Sequence, residues 1–167
     1  LYAHYSEVKA IMVKSISNDA TNISMSYTGS YPANVEYSYD GLNWYNIWGS
    51  NSLTISLSEG YSDYVYFRGY NPNGFSRNGG TYSWFNINNG QCNLLGNIMY
   101  LKNYNEELDY VNYCEFYRLF QNCYAIVNAN DFVLPATTLA SNCYSGMLYG
   151  CTSLTTAPVL SATTLAN

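Results

Sequence analysis

The sequence predicts a mainly β protein with short helices, an N-terminal antiparallel β-sandwich of immunoglobulin- or fibronectin-like type followed by the start of a repeat solenoid. Two observations predict it. Over the first ninety residues, apolar and polar side chains alternate in short runs separated by Gly, Asn and Asp, the mark of half-buried strands joined by turns. Further on, Leu-Pro-Ala-Thr-Thr-Leu-Ala (Leu134 to Ala140) returns 26 residues later as Leu-Ser-Ala-Thr-Thr-Leu-Ala (Leu160 to Ala166). A period of roughly 20 to 50 residues belongs to chains whose units bury their apolar faces against one another.

Taken in order, Glu7 to Ile16 and Thr21 to Tyr27 alternate well enough for a first strand pair. Asn34 to Ile47 reads as two strands around Asp40-Gly41, the dipeptide that best supplies positive φ to a tight hairpin. Ser52 to Leu57 and Asp63 to Gly69 give two more, with Leu53, Ile55 and Leu57 on one face, and Thr81 to Ile87 makes a seventh. Seven short strands at this spacing suit a sandwich. Asn86, Asn88, Asn89 and Gly90 break the last strand. Leu94, Leu95, Ile98, Met99 and Leu101 then form an apolar patch fit to cap the end of a stack. The domains expected are residues 1–88 for the sandwich, 89–110 for a linker and cap, and 111–167 for the repeats.

The repeats divide into a degenerate first copy, 111–140, and a second, 141–166, after which the array looks cut short. Setting Cys123 on Cys151 puts Phe116 on Tyr144, Leu119 on Met147, Phe120 on Leu148, Asn122 on Gly150 and Ile126 on Leu154. Two extra residues before Leu134 restore the 26-residue register. The matched positions are apolar or small, so Cys123, Leu134, Leu139, Met147, Cys151, Leu154, Leu160 and Leu165 are the expected buried layers. The spacing of Tyr144, Met147, Leu148 and Cys151 predicts a pair of helical turns, with Arg118 and Gln121 facing outward. Thr152 to Leu160, β-branched and Pro-interrupted, predicts a short strand. One helix and one strand per unit is a leucine-rich-repeat plan.

Cys143 to Ala166 resembles the 26-residue repeat of BspA-like leucine-rich-repeat proteins, and the likeness covers about the last third of the chain. The first copy departs from the pattern, with Glu115 where Cys143 sits later, and so reads as a capping repeat. The resemblance implies an extracellular protein of gut-type bacteria, or of the bacteriophages that infect them, used in surface attachment and without enzyme activity. Val35 to Gly41 together with Val65 to Gly69 resembles a small β-domain often found ahead of such repeats.

Composition fits a polar surface that carries little charge. Charged residues are 10%, against roughly 25% in an ordinary soluble domain, while there are 20 tyrosines. Tyrosine supplies stiff contact area with a hydroxyl handle. The net charge of −5, with 11 acids against 6 bases, and the lack of any basic stripe argue against nucleic acid as a partner. No run of apolar residues is long enough for a membrane span. Of the five cysteines, Cys123 and Cys151 occupy equivalent repeat positions and read as buried free thiols, a bridge between them being the alternative. No cofactor or metal is expected, because no ligand pair has metal spacing and His4 is the only histidine. Glu106, Glu107 and Asp109 read as a solvated loop without the spacing of a calcium site.

No nucleophile elbow or phosphate loop occurs, and no catalytic residue is expected. Ser38 to Trp44 resembles the Asp-box of sialidase-type propellers but is one residue short, so it reads as a turn. The candidate ligand contacts are Trp44, Trp48, Tyr70 and Trp84, each either exposed or core, with Thr152 and Thr155 near the strand face of the repeats. Two carriers fit, a bacterial surface adhesin and a phage virion protein such as a fibre, tail or capsid decoration, with a carbohydrate-binding module of a larger secreted protein as the alternative. The partners expected are a protein or glycan on a cell surface, neighbouring virion subunits or a homo-oligomer.

Overall fold

Every second side chain from Thr21 to Met25 is buried, as a strand with one wet face requires. The computed structural model describes residues 8–30, 32–48 and 51–165; His4 lies outside the described residues. In chain order the elements are β1 (Ile11–Ser15), β2 (Thr21–Tyr27), β3 (Val35–Ser38), β4 (Tyr45–Asn46), β5 (Leu53–Ile55), β6 (Tyr64–Gly69), β7 (Ser83–Asn88), β8 (Cys92–Asn97), α1 (Met99–Lys102), β9 (Ile126–Asn128), β10 (Phe132–Leu134), β11 (Thr138–Leu139), β12 (Val159–Leu160) and β13 (Thr164–Leu165). The chain is thus mainly β, with four residues of α-helix among those described.

One long sheet runs β12-β10-β8-β1-β6-β3-β4, with β9 also paired to β8. A second, β5-β2-β7, is antiparallel, and β11 pairs with β13 alone. The strand–strand pairings within the first ninety residues are antiparallel, whereas β8 receives β9 and β10 in parallel. The inward side chains of both large sheets share one core with the repeats. A run of rings marks the path: Phe67 meets Phe85 edge to face at 5.1 Å, Phe85 stacks on Phe120 at 5.2 Å, and Phe120 meets Phe132 at 5.7 Å. Geometries of this kind add about 0.5–1.5 kcal/mol per pair beyond burial.

Several expectations change. The segment expected as linker holds β8, which lies between β1 and β10 with Leu94 buried; the apolar patch is a strand because it has two neighbours to pair with. The hairpin between β3 and β4 closes over six residues, 39–44. Asp40 is spent inside that loop, accepting from the backbone N–H of Leu42 and Asn43 and from the Asn43 amide, which holds its carboxyl far below the usual range. Leu57 is 49% exposed and does not share the buried face of Leu53 and Ile55.

The expected helical turn pair is absent. From Asn112 to Ile126 and from Ala140 to Leu154 the backbone forms overlapping four-residue turns, in which Tyr117 N–H donates to Cys114, Leu119 to Phe116, Gln121 to Arg118, and likewise Ser145 to Asn142, Met147 to Tyr144 and Tyr149 to Gly146. Every fourth residue takes positive φ: Cys114, Arg118 and Asn122 in the first copy, Asn142, Gly146 and Gly150 in the second. This left-handed position is what Asn and Gly tolerate best. Arg118 therefore matches Gly146 by backbone conformation, and the i, i+3, i+4 spacing arises from a turn ribbon whose inward positions also come at such intervals. Of the strand expected over Thr152 to Leu160, only Val159–Leu160 pairs as a strand. Leu160 and Leu165 are 53% and 77% exposed, and Leu139 and Leu154 half-buried; the other expected layer positions, Cys123, Leu134, Met147 and Cys151, are buried.

Candidate functional site

A cleft of about 780 Å³ opens where the edge of β2 faces the start of β3 and the end of β4, and it is lined by Met25, Ser26, Tyr27, Pro32, Ala33, Asn34, Asn46 and Trp48. None of these side chains is charged. β2 delivers Tyr27 at its last position, in step with buried Ile23 and Met25, yet its ring stays exposed. Trp48 follows β4, leaning its inner edge on the core. Tyr27 and Trp48 meet edge to face at 5.7 Å and 79°, leaving Tyr27 48% exposed.

The wall opposite is held by backbone. Ala33 N–H donates to Ser83 Oγ at 3.0 Å, Asn34 N–H donates to Asn71 Oδ1 at 2.6 Å, and Asn71 Nδ2 returns bonds to the carbonyls of Asn34 (2.9 Å) and Leu101 (2.8 Å). Asn71 is itself buried, so it locks the cleft to α1. What the cleft offers is two aromatic surfaces at an angle, two side-chain amides from Asn34 and Asn46, and an apolar floor of Met25 and Ala33. Rings stack on the apolar faces of a sugar while amides bond its hydroxyls, and a few polar groups in an apolar pocket fix orientation. Without a charge in its lining, the cleft suits a neutral ligand.

The other candidates fall elsewhere. Trp44 sits beside a second hollow of about 410 Å³ with Lys9, Arg68, Tyr104 and Asn105, but its ring is covered by the Arg68 guanidinium, 3.9 Å from the centroid, and the same guanidinium lies 4.1 Å from the centroid of the Tyr104 ring. Arg68 is in turn tied to Glu36 at 2.9 Å. Trp84 is half-buried on the solvent side of β7, donating Nε1–H to Asn86 Oδ1 and stacking obliquely on Tyr82. Tyr70 is exposed beside Asn71 and Pro72. Thr152 is exposed, and Thr155 donates both N–H and Oγ–H to the Val127 carbonyl, joining the copies. Only Trp48 of the six lines the main cleft. Tyr27, Asn34 and Asn46 escape sequence reasoning, because nothing in the order of residues says that β2 ends beside Trp48.

The thiols are structural. All five cysteines are free and buried. Cys123 Sγ–H donates to the Phe85 carbonyl at 3.2 Å and Cys151 Sγ–H to that of Phe120 at 3.1 Å, so equivalent cysteines bond equivalent neighbours one layer down. Burial pushes Cys92 up to about 12, aided by Cys151, and Cys123 well above its ordinary value. Among the described residues no three His, Cys, Asp or Glu side chains converge as metal ligands, and no helix is long and apolar enough to cross a membrane.

Compared with known proteins, the chain matches no protein-family model, no curated protein and no solved structure.

Proposed function

We propose that this chain is a non-enzymatic extracellular attachment and display module, joining an immunoglobulin- or fibronectin-like sandwich to the start of a leucine-rich-repeat solenoid of BspA-like type. The observation that carries the reading is the join. β8 pairs with β1 on one side and with β10 on the other, so the sheet that holds the cleft continues into the repeats without a flexible linker, as a part that projects a binding surface requires. The carrier is a bacterial surface or a phage particle, and the ligand on the opposing cell is a neutral glycan held in the Tyr27–Trp48 cleft or a protein met by the repeats. Neighbouring virion subunits or a homo-oligomer belong to the phage version.

The test is binding to a glycan array by the whole chain and by Trp48→Ala, Tyr27→Ala, Thr152→Ala and Thr155→Ala. Cleft recognition predicts that the first two variants lose at least about tenfold in affinity, since a ring–ligand contact contributes about 1–3 kcal/mol, while the threonine variants bind as the parent does. Loss through the threonines alone would move the contact to the repeats. Binding by every variant alike would remove both sites. The second reading, a carbohydrate-binding module of a larger secreted protein, draws on the same cleft; it predicts glycan binding with no effect of the chain on cell attachment. Deleting residues 111–167 is not a usable arm of this test, because Phe85 would lose its stacked partner Phe120.

A further inference from the structure

The wall formed by Pro32, Ala33 and Asn34 serves two hollows. One is the Tyr27–Trp48 cleft, and the other, of about 220 Å³, takes in Tyr70, Asn71 and Asn73. Pockets that hold a small ligand run to about 300–1,000 Å³, so the smaller hollow is too small to stand alone and counts as an extension of the cleft. The ridge they share is fixed by the fold. Ala33 N–H donates to Ser83 Oγ and Asn34 N–H to Asn71 Oδ1, while the Asn34 carbonyl accepts from Asn71 Nδ2 and, at 3.3 Å, from Tyr70 N–H. Gly69 lets the backbone pass close by: a Cβ there would come within 2.6 Å of the carbonyl oxygens of Asn34 and Leu101. The turn beyond is pinned as well, Asn71 N–H donating to the Lys102 carbonyl at 2.6 Å and Gly74 N–H to that of Asn71 at 2.9 Å. A ligand therefore meets walls that are already ordered, which lowers the cost of binding.

The groups left over say what the two hollows take. Neither lining contains a charged side chain. The side-chain amides of Asn34 and Asn46 are exposed and make no hydrogen bond to any described residue, and Tyr70 is 51% exposed. A peptide added as a strand would need main-chain donors along the wall, but the N–H groups of Ala33, Asn34, Tyr70 and Asn71 are all spent inside the protein. Free amides and open rings, without charge and without a backbone ladder, match a chain of neutral sugars, in which an apolar ring face and a hydroxyl edge recur at every unit.

Resting on the glycan reading of the cleft, we infer that the two hollows are subsites of one groove that holds a neutral oligosaccharide, not a single sugar, across the Pro32–Asn34 ridge. Tyr27 and Trp48 pack on one sugar unit and Tyr70 on another. Asn34 lines both hollows, so its amide bonds hydroxyls where the glycan crosses. Tyr70 thereby becomes the residue that selects for length, and it does so without touching the unit held at Trp48.

The test is calorimetric titration of the full chain with linear cello-, xylo-, malto- and N-acetylated chito-oligosaccharides, each series running from the single sugar to the hexasaccharide. At least one series is expected to bind, and within it affinity should rise by roughly tenfold with length, the worth of one added ring contact, before levelling off. Tyr70→Ala should bring the long oligomers down to the affinity of the short ones and leave the short ones unchanged, which also shows that the variant is folded; Tyr70→Phe should keep the gain. Affinity that does not grow with length, or a gain that survives Tyr70→Ala, overturns the two-subsite groove while the cleft stands as a glycan site. Binding to none of the series, or binding that both Trp48→Ala and Tyr27→Ala leave intact, overturns the glycan reading of the cleft and the groove with it.

Discussion

Glu115 takes the place in the first copy that Cys143 holds in the second, and it brings a charge into the core. Its carboxylate meets Lys102 Nζ at 2.9 Å, with the two side chains 0% and 2% exposed. Asn112 N–H donates to the same carboxylate at 2.6 Å, and Lys102 also reaches the Tyr110 carbonyl at 3.4 Å and lies 3.9 Å from the Tyr110 ring. Removing one partner of such a pair leaves a buried charge and costs about 3–5 kcal/mol, whereas replacing both can be neutral. In Glu115→Gln the amide oxygen still accepts from Asn112, so the cost should fall at the lower end, about 3 kcal/mol. For a chain of this length that lowers Tm by about 6–12 °C. The double variant Lys102→Met/Glu115→Gln removes the stranded ammonium and should lie within about 1 kcal/mol of the parent. Urea unfolding of the parent, the single variants Glu115→Gln and Lys102→Met and the double variant, followed by tryptophan fluorescence, gives the coupling directly. A cost below about 1 kcal/mol for Glu115→Gln, or a double variant no more stable than that single one, would refute the argument that α1 and the first copy are held together by a fully desolvated pair.

Other expectations follow from the ribbon and the thiols. Gly150→Ala places a Cβ against the Asn122 side chain at φ +75° and should cost about 1–3 kcal/mol, measured by the same denaturation; Asn122→Ala in that background should recover the steric part only. At pH 8 the folded chain should react with iodoacetamide far more slowly than the chain in urea, where all five cysteines alkylate, as mass spectrometry would record; rapid labelling of Cys92 or Cys123 in the native state would contradict their burial. Stability should also fall as pH rises. The unfolded thiol gives up its proton near 9.0 and the folded Cys92 only near 12, so the unfolded state gains from pH 9 upward, by at most about 4 kcal/mol for this residue at pH 12. A flat profile between pH 8 and 11 would sink that reading.

Much of the fold was legible because the signals were local. Alternation placed β2 at Thr21–Tyr27 and β6 within a residue, since a half-buried strand writes its period into the chain. Within the segment expected as linker and cap, β8 forms for a non-local reason. Cys92 to Asn97 is a strand only because Ile11–Ser15 and Phe132–Leu134 stand ready on either side, and no window of eight residues contains that fact. The helical turn pair failed differently. Inward positions in a four-residue turn ribbon and in a helix recur at similar spacing, and the distinguishing mark, Asn142, Gly146 and Gly150 at every fourth place, was in the sequence as left-handed residues.

The cleft was legible only in part. Trp48 stood out as an aromatic, yet its partner Tyr27 lies across a loop and on the other sheet, and Asn34 and Asn46 looked like turn residues. Trp44 was singled out on equal grounds, but Arg68 covers its face. By itself, the sequence determined the strand periods, the 26-residue repeat, the buried cysteine stack and the scarcity of charge, because each depends on residue type and spacing along the chain. Only the tertiary structure decided that one sheet joins the two parts and which aromatic faces stay open, because pairing and exposure depend on residues far apart in sequence.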